Sequence, residues 1–314
     1  MSIAKPQTPP GIYFEQFGIT EELRRQITTT ALSMGGDDCD LYFQHSSSTS
    51  VALSDGKVSR ASSSLDLGMG VRVVVGEQVG YSFSEDLSPG ALVEAAKSAA
   101  QIANKTPGCS VEVERKIDIP NYYSFKQPWD SIDMAKRVQL VRNWEQTAFA
   151  TDDRVKRVET YLADGATVVM IVRPDGRLIE DWRPMTTAYL LCTVEEDGRM
   201  ERDSYNVAAR SGLEFLTKER QNRLVQEATQ RALFQLKASP PPAGEMPVVL
   251  ASGPSAILLH EAIGHGMEAD FNRKKVSIFS SLMNKKVANE HVTIIDDGTI
   301  FGSRGALNID DEGN

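Results

Sequence analysis

The chain has 314 residues, 41% of them hydrophobic and 25% charged, with a formal net charge of −9. These proportions suit a soluble globular protein, no apolar run reaches the roughly 20 residues that span a bilayer, and an acidic surface repels a phosphate backbone, so membrane insertion and direct nucleic-acid binding are both disfavoured. Three cysteines, Cys39, Cys109 and Cys192, are odd in number and far apart, which argues against a disulfide framework and for a reducing compartment.

The Pro-rich start MSIAKPQTPPGIYFEQFG lacks the basic and apolar regions of a secretory signal, so the expected location is cytoplasmic. TEELRRQITTTALSMGG reads as a helix with Thr20 as N-cap and Gly35 or Gly36 closing it. From Cys39 to Phe83 apolar and polar residues alternate, with Asp55-Gly56 and Gly76-Glu77 as turns, which predicts an antiparallel meander. Ser88-Pro89 then starts a helix whose apolar face is Ala91, Leu92, Ala95, Ala96 and Ala99. The Pro-containing stretch near 106–130 is a connection and a candidate subdivision. A second helix is expected over about 131–150, then strands punctuated by Asp164-Gly165, Asp175-Gly176 and Asp197-Gly198, each Asp-Gly supplying hairpin geometry, and then a helix within TKERQNRLVQEATQRALFQLK.

The pattern helix, sheet, helix therefore occurs twice, which predicts an α+β fold whose N-terminal domain, residues 1–239, pairs helices with antiparallel sheet in two similar layers. Pro240, Pro241 and Pro242 stop the last helix and mark the start of a second unit over 240–314. There EMPVVLAS reads as a short buried strand, GPSAILLHEAIGHGMEADF as a helix and HVTIIDDGTI as a strand with an Asp-Gly turn.

Two of the four histidines, His260 and His265, stand five residues apart with Glu261 directly after the first. Neutral imidazoles are common metal ligands, and an adjacent carboxylate is suited to move a proton of nearby water. In a regular α-helix, however, i and i+5 are separated by about 140° around the axis, so the rings would diverge. A π-bulge would realign them, and Gly264 would ease one. The competing structural reading makes both histidines partly buried and bonded to backbone carbonyls, with Glu261 a solvated surface charge. Glu268 and Asp270 read as charge at the exposed end of the helix. GMGVRVVVG lacks GxGxxG spacing and no GxSxG occurs, so neither a nucleotide enzyme nor a serine hydrolase is indicated.

The segment ILLHEAIGHGMEADFNRKKVSIFSSLMNKKVANEHVTIIDDGTI resembles the signature region of the TldD/PmbA family in its metallopeptidase branch. GMGVRVVVGEQVGYSFSED and DWRPMTTAYLLCTVEEDGRMERD extend the resemblance over nearly the whole chain, in the family's order. The resemblance implies that His260 and His265 are metal ligands, that Glu261 is the general base or acid toward water at the metal, and that the metal is zinc, with iron an alternative two imidazoles also accept. It implies a cytosolic peptidase acting on unfolded or short peptides beside a homologous TldE/PmbA-like subunit that lacks the metal motif. A non-catalytic peptide-binding or regulatory subunit of the same family is the competing function. Family members continue past the motif into a largely β C-terminal domain supplying a cysteine as third ligand. This chain stops at DDEGN, the expectation for a fragment, and none of Cys39, Cys109 and Cys192 lies where that ligand belongs.

Overall fold

The computed structural model describes residues 12–103, 109–253 and 255–314. The chain forms two compact units: one of Met1–Ala238 with Asp297–Asn314, the other of Ser239–Asp296. The proline-rich start and part of the 106–130 connection lie outside the described residues.

In the large unit, among the described residues, seven strands form one sheet: β1 (Asp38–Ser54), β2 (Lys57–Val75), β3 (Gln78–Ser84), β4 (Arg115–Lys116), β5 (Val155–Val172), β6 (Arg177–Glu196) and β7 (Arg199–Ala209). Their order is β3-β2-β1-β5-β6-β4, with β7 also on β6, and every pairing but the parallel β4/β6 is antiparallel. Helices α1 (Glu21–Ala31), α2 (Pro89–Ala100), α3 (Met134–Phe149) and α4 (Lys218–Gln235) flank it. The mixed helix and antiparallel sheet expected from the sequence is the fold found, with the two halves joined edge to edge through β1 and β5.

Alternation decides which face is covered. Cys39, Leu41 and Phe43 of β1, with Met69, Val71 and Val73 of β2, pack against Leu23 and Ile27 of α1 and the alanine face of α2. Farther along β1, Val51 and Leu53 join Val158, Leu162 and Leu190 beneath α3 and α4. Each fully buried Leu or Val stabilises the fold by about 1.5–3 kcal/mol. On the opposite face, Ile309 of the last segment packs on Val169, Ile171 and Ile179. That segment is fixed there by buried Asp181, which accepts from Asn308 Nδ2 at 2.8 Å and from Arg183 Nε at 2.6 Å.

Thr20 is the N-cap expected from the sequence, and two further helices are capped in the same way. Thr20 accepts from the N–H of Leu23, Asp133 from Lys136 and Thr217 from Arg220, satisfying donors that a helix start leaves bare. The Asp55-Gly56 and Asp197-Gly198 hairpins have φ of 52° and 73°, and 52° and 79°, the paired positive values of a tight hairpin turn.

Asp164-Gly165 is not a turn. β5 runs through it, with Asp164 opposite Thr49 and Gly165 opposite Ser48. A Cβ on Gly165 would come within 2.9 Å of the Ser47 carbonyl oxygen, so this glycine permits close strand approach. RLIEDWR and TTAYLLCTVEE are likewise one strand, β6, running over Pro184. Pro184 falls between the part of β6 that pairs β4 and the part that pairs β7, where its missing N–H costs no ladder bond.

His45 of β1 is 1% exposed; its Nδ1 is 2.8 Å from the Tyr13 hydroxyl, and its Nε2 has no partner among the described residues. Phe17 lies edge-on to the ring and Trp182 edge-on to Tyr13, so among the described residues Tyr13 is the titratable side chain bonded to it. Burial holds the His45 pKa below the ordinary 6.5. As pH falls, the unfolded chain therefore takes up this proton before the folded chain does, and stability declines below about pH 6.5. Urea midpoints should fall from about pH 7.5 to about pH 5.5, and fall less in His45→Gln, which keeps the hydrogen-bonding capacity without the titration. Equal declines in both proteins would remove His45 as the cause.

EMPVVLAS, in the small unit, and HVTIIDDGTI, which runs from it into the last segment of the large one, are not strands. Val249 is 93% and Ile295 79% exposed, and among the described residues neither segment has a ladder partner. A strand needs its N–H and C=O groups paired, which apolar β-branched composition alone does not provide.

Candidate metal centre

GPSAILLHEAIGHGMEADF does not form one helix. Among its described residues an α-turn, α5 (Ala256–Leu259), passes into a π-turn over His260–Gly264, a 3₁₀ turn over His265–Met267 and α6 (Ala269–Arg273). The N–H of His265 donates to the carbonyl of His260, the i→i+5 bond that defines a π-turn. One extra residue in the turn brings two rings together that a regular helix would hold apart.

The imidazole centroids of His260 and His265 are 4.5 Å apart with ring planes at 68°. One ligand atom from each of His260, Glu261 and His265 lies within 4.8 Å of the others. All three side chains are exposed, which sets aside the reading of buried histidines bonded to backbone. Gly264 has ordinary helical φ of −55°, and a Cβ there would sit 3.5 Å from His260 Nδ1, so the π-turn does not depend on glycine's conformational freedom.

Beyond His265 the backbone is held closely. The Gly266 carbonyl accepts from Asn272 Nδ2 at 3.0 Å and from the Ser277 hydroxyl. A Cβ on Gly266 would lie 2.8 Å from the Phe279 ring, so a side chain there would displace that ring. A cleft of about 440 Å³ opens beside the cluster, lined by Leu259, His260, Ile263, Met267, Glu268 and Ile294.

Glu268, which the sequence suggests is only surface charge, accepts from His265 Nδ1 at 2.6 Å. That bond raises the His265 pKa, burial opposes it slightly, and the charges of Glu268 and Glu261 add to the rise. Glu261 Oε2 is 3.6 Å from His265 Nε2, on the ring's other edge. The signal available in the sequence is spacing: a carboxylate three residues after a histidine stays within reach of its ring, here from an extended residue just past the 3₁₀ turn. Asp270 lies 3.7 Å from Lys274 as an exposed i,i+4 pair, consistent with its reading as surface charge. Cys39 and Cys192 are buried in the two sheet cores, where burial pushes both thiols up, Cys192 to about 12.

The donor set fits a divalent cation of the zinc type: imidazole nitrogens and a carboxylate oxygen converge, and the Nδ1 of His265 is already engaged, leaving its Nε2 for a metal. Among the described residues, no helix is long and apolar enough to cross a membrane.

Three family models match the sequence in order: PmbA/TldA metallopeptidase domain 1 over residues 39–103, the central domain over 127–236 and the C-terminal domain over 243–314. A metalloprotease TldD homolog of Haemophilus influenzae is 37% identical over 284 residues, which cover 88% of this chain and 59% of that protein. The chain thus spans about three fifths of the length of this curated relative. Among solved structures, a protein named as a candidate modulator of a DNA gyrase from Thermotoga maritima MSB8 superposes with a TM-score of 0.75 at 18% identity, over 94% of this chain and 66% of that one. TldE from Thermococcus kodakarensis superposes with a TM-score of 0.61 at 13% identity, over 83% and 58%. At those identities the two structures show a shared fold. The sequence matches carry more, and the chain belongs to the PmbA/TldD metallopeptidase family.

Proposed function

We propose that this chain carries the metal site of a peptidase that hydrolyses unfolded or short peptides, with His260 and His265 as ligands and Glu261 as general base and acid. The observation that carries this reading is the π-turn, which brings those three side chains within 4.8 Å without burying them. Zinc, the metal this donor set suits best, would supply Lewis acidity toward water and a peptide carbonyl. His260 and His265 hold their rings toward one point, and Glu261, beside the second ring, takes a proton from the attacking water and passes it to the departing amine. The apolar wall of Leu259, Ile263, Met267 and Ile294 would receive a substrate side chain in the cleft next to His260. The setting we assign is cytoplasmic, with a TldE/PmbA-like subunit as partner.

The test is elemental analysis of the 314-residue chain after zinc loading and desalting, beside His260→Ala. About one zinc per chain is expected, lost in the variant, because neutral imidazoles are the ligands. Zinc retained by His260→Ala at the wild-type level overturns the assignment of a metal site to these residues.

A further inference from the structure

Glu268 is the cluster residue that the metal-ligand and proton-transfer roles leave without a task. Its carboxylate lies 2.6 Å from His265 Nδ1, and since an ionised carboxylate only accepts, this contact selects the Nδ1–H tautomer of the neutral ring. The other ring nitrogen, Nε2, then presents its lone pair on the edge facing Glu261, 3.6 Å away.

The backbone holds Glu268 in that place. Glu268 is extended, with φ −56° and ψ 138°, and serves as N-cap of α6. Its carbonyl accepts from the Asn272 N–H at 3.2 Å and from Asn272 Nδ2 at 2.8 Å. The same Asn272 amide grips the Gly266 carbonyl, so one side chain ties the residue after His265 to the residue that bonds its ring. Such an arrangement presets a ring, whereas a mobile surface carboxylate would give no fixed geometry.

We infer that Glu268 is a positioning residue, which fixes the Nδ1–H tautomer and the orientation of His265 so that Nε2 is offered to a divalent cation. The inference rests on the metal-site reading above. Carboxylates in this relation to a ligating histidine typically contribute 10–100-fold in metal affinity. Glu268 is not one of the residues whose ligand atoms converge within 4.8 Å, and its Oε1 meets the ring nitrogen on the side away from Glu261.

The experiment is zinc titration of the full chain and of Glu268→Ala, Glu268→Gln and His265→Ala, with ¹⁵N NMR of the histidine tautomers before zinc is added. Glu268→Ala should bind zinc about 10–100-fold more weakly. Its His265 should lose the fixed Nδ1–H tautomer present in the wild type. Glu268→Gln should retain most of the affinity, because its amide oxygen accepts the same bond from the ring. Unchanged affinity and tautomer in Glu268→Ala would overturn the inference. So would a Glu268→Gln chain as weak as the alanine variant with the tautomer preserved, the pattern of a lost ligand. Failure of the underlying reading looks different: the wild type would then bind zinc no better than His265→Ala, while the tautomer measurement would still report whether Glu268 sets the ring.

Discussion

Replacing Glu261 with glutamine is expected to reduce peptide turnover by about 10²–10⁴-fold while leaving bound metal in place, because general acid–base catalysis contributes on that scale. The prediction applies wherever this segment hydrolyses peptide, in this chain alone or in one extending over the full length of its relatives. Glutamine keeps the size and one hydrogen-bonding oxygen of Glu261 but cannot take up a proton near neutral pH. His260 and His265 keep their 4.5 Å ring approach, which the backbone π-turn sets. Zinc content and turnover should therefore separate. If turnover survives at wild-type rate with metal present, Glu261 is not the proton carrier. If zinc is lost with turnover, Glu261 is a ligand and some other group moves the proton.

That separation could be posed from sequence, and the reason shows what a sequence can carry. The spacing of His260 and His265 demands either divergence or a local change of helix, and the helix does change, through the His265 N–H to His260 carbonyl bond. The cap at Thr20 and the hairpin at Asp197-Gly198 are readable because each acts through its own neighbours. Asp164-Gly165 misled for the complementary reason. Its chemistry is set by Arg137, 27 residues earlier, and by the Ser47 carbonyl of the adjoining strand, and neither is visible in a local window. EMPVVLAS and HVTIIDDGTI failed similarly, since composition reports a preference for strand but not whether a partner is there. Glu268 is within reach of His265 by spacing, but exposed acids at helix ends are common and the sequence does not distinguish this one from surface charge.

The residue that defeated the turn prediction should be among the most costly to remove. Asp164 is 6% exposed and Arg137 7%. Arg137 Nε and Nη2 reach the two carboxylate oxygens at 2.8 and 3.1 Å, while Nη1 donates to the Ile132 carbonyl and Nη2 also to that of Trp129. Burial pushes the Asp164 pKa above the usual carboxylate value even though the Arg137 bonds and charge pull it down. Taking both charges out of water offsets much of their attraction, so a buried ion pair of this kind adds little net stability of its own. Removing one member is another matter, because Asp164→Ala leaves a guanidinium in the interior without its counter-charge. A loss of about 3–5 kcal/mol in unfolding free energy is expected, measured by urea denaturation of the full chain. Arg137→Met strands the carboxylate instead and frees the two carbonyls that fix the approach to α3, so it should cost a similar amount. The double variant Asp164→Ala/Arg137→Met should be less unstable than the sum of the singles, since it buries no unpaired charge. An Asp164→Ala chain within about 1 kcal/mol of wild type would show that the interior relaxes or admits water around Arg137, and that the pair is not what holds α3 to β5.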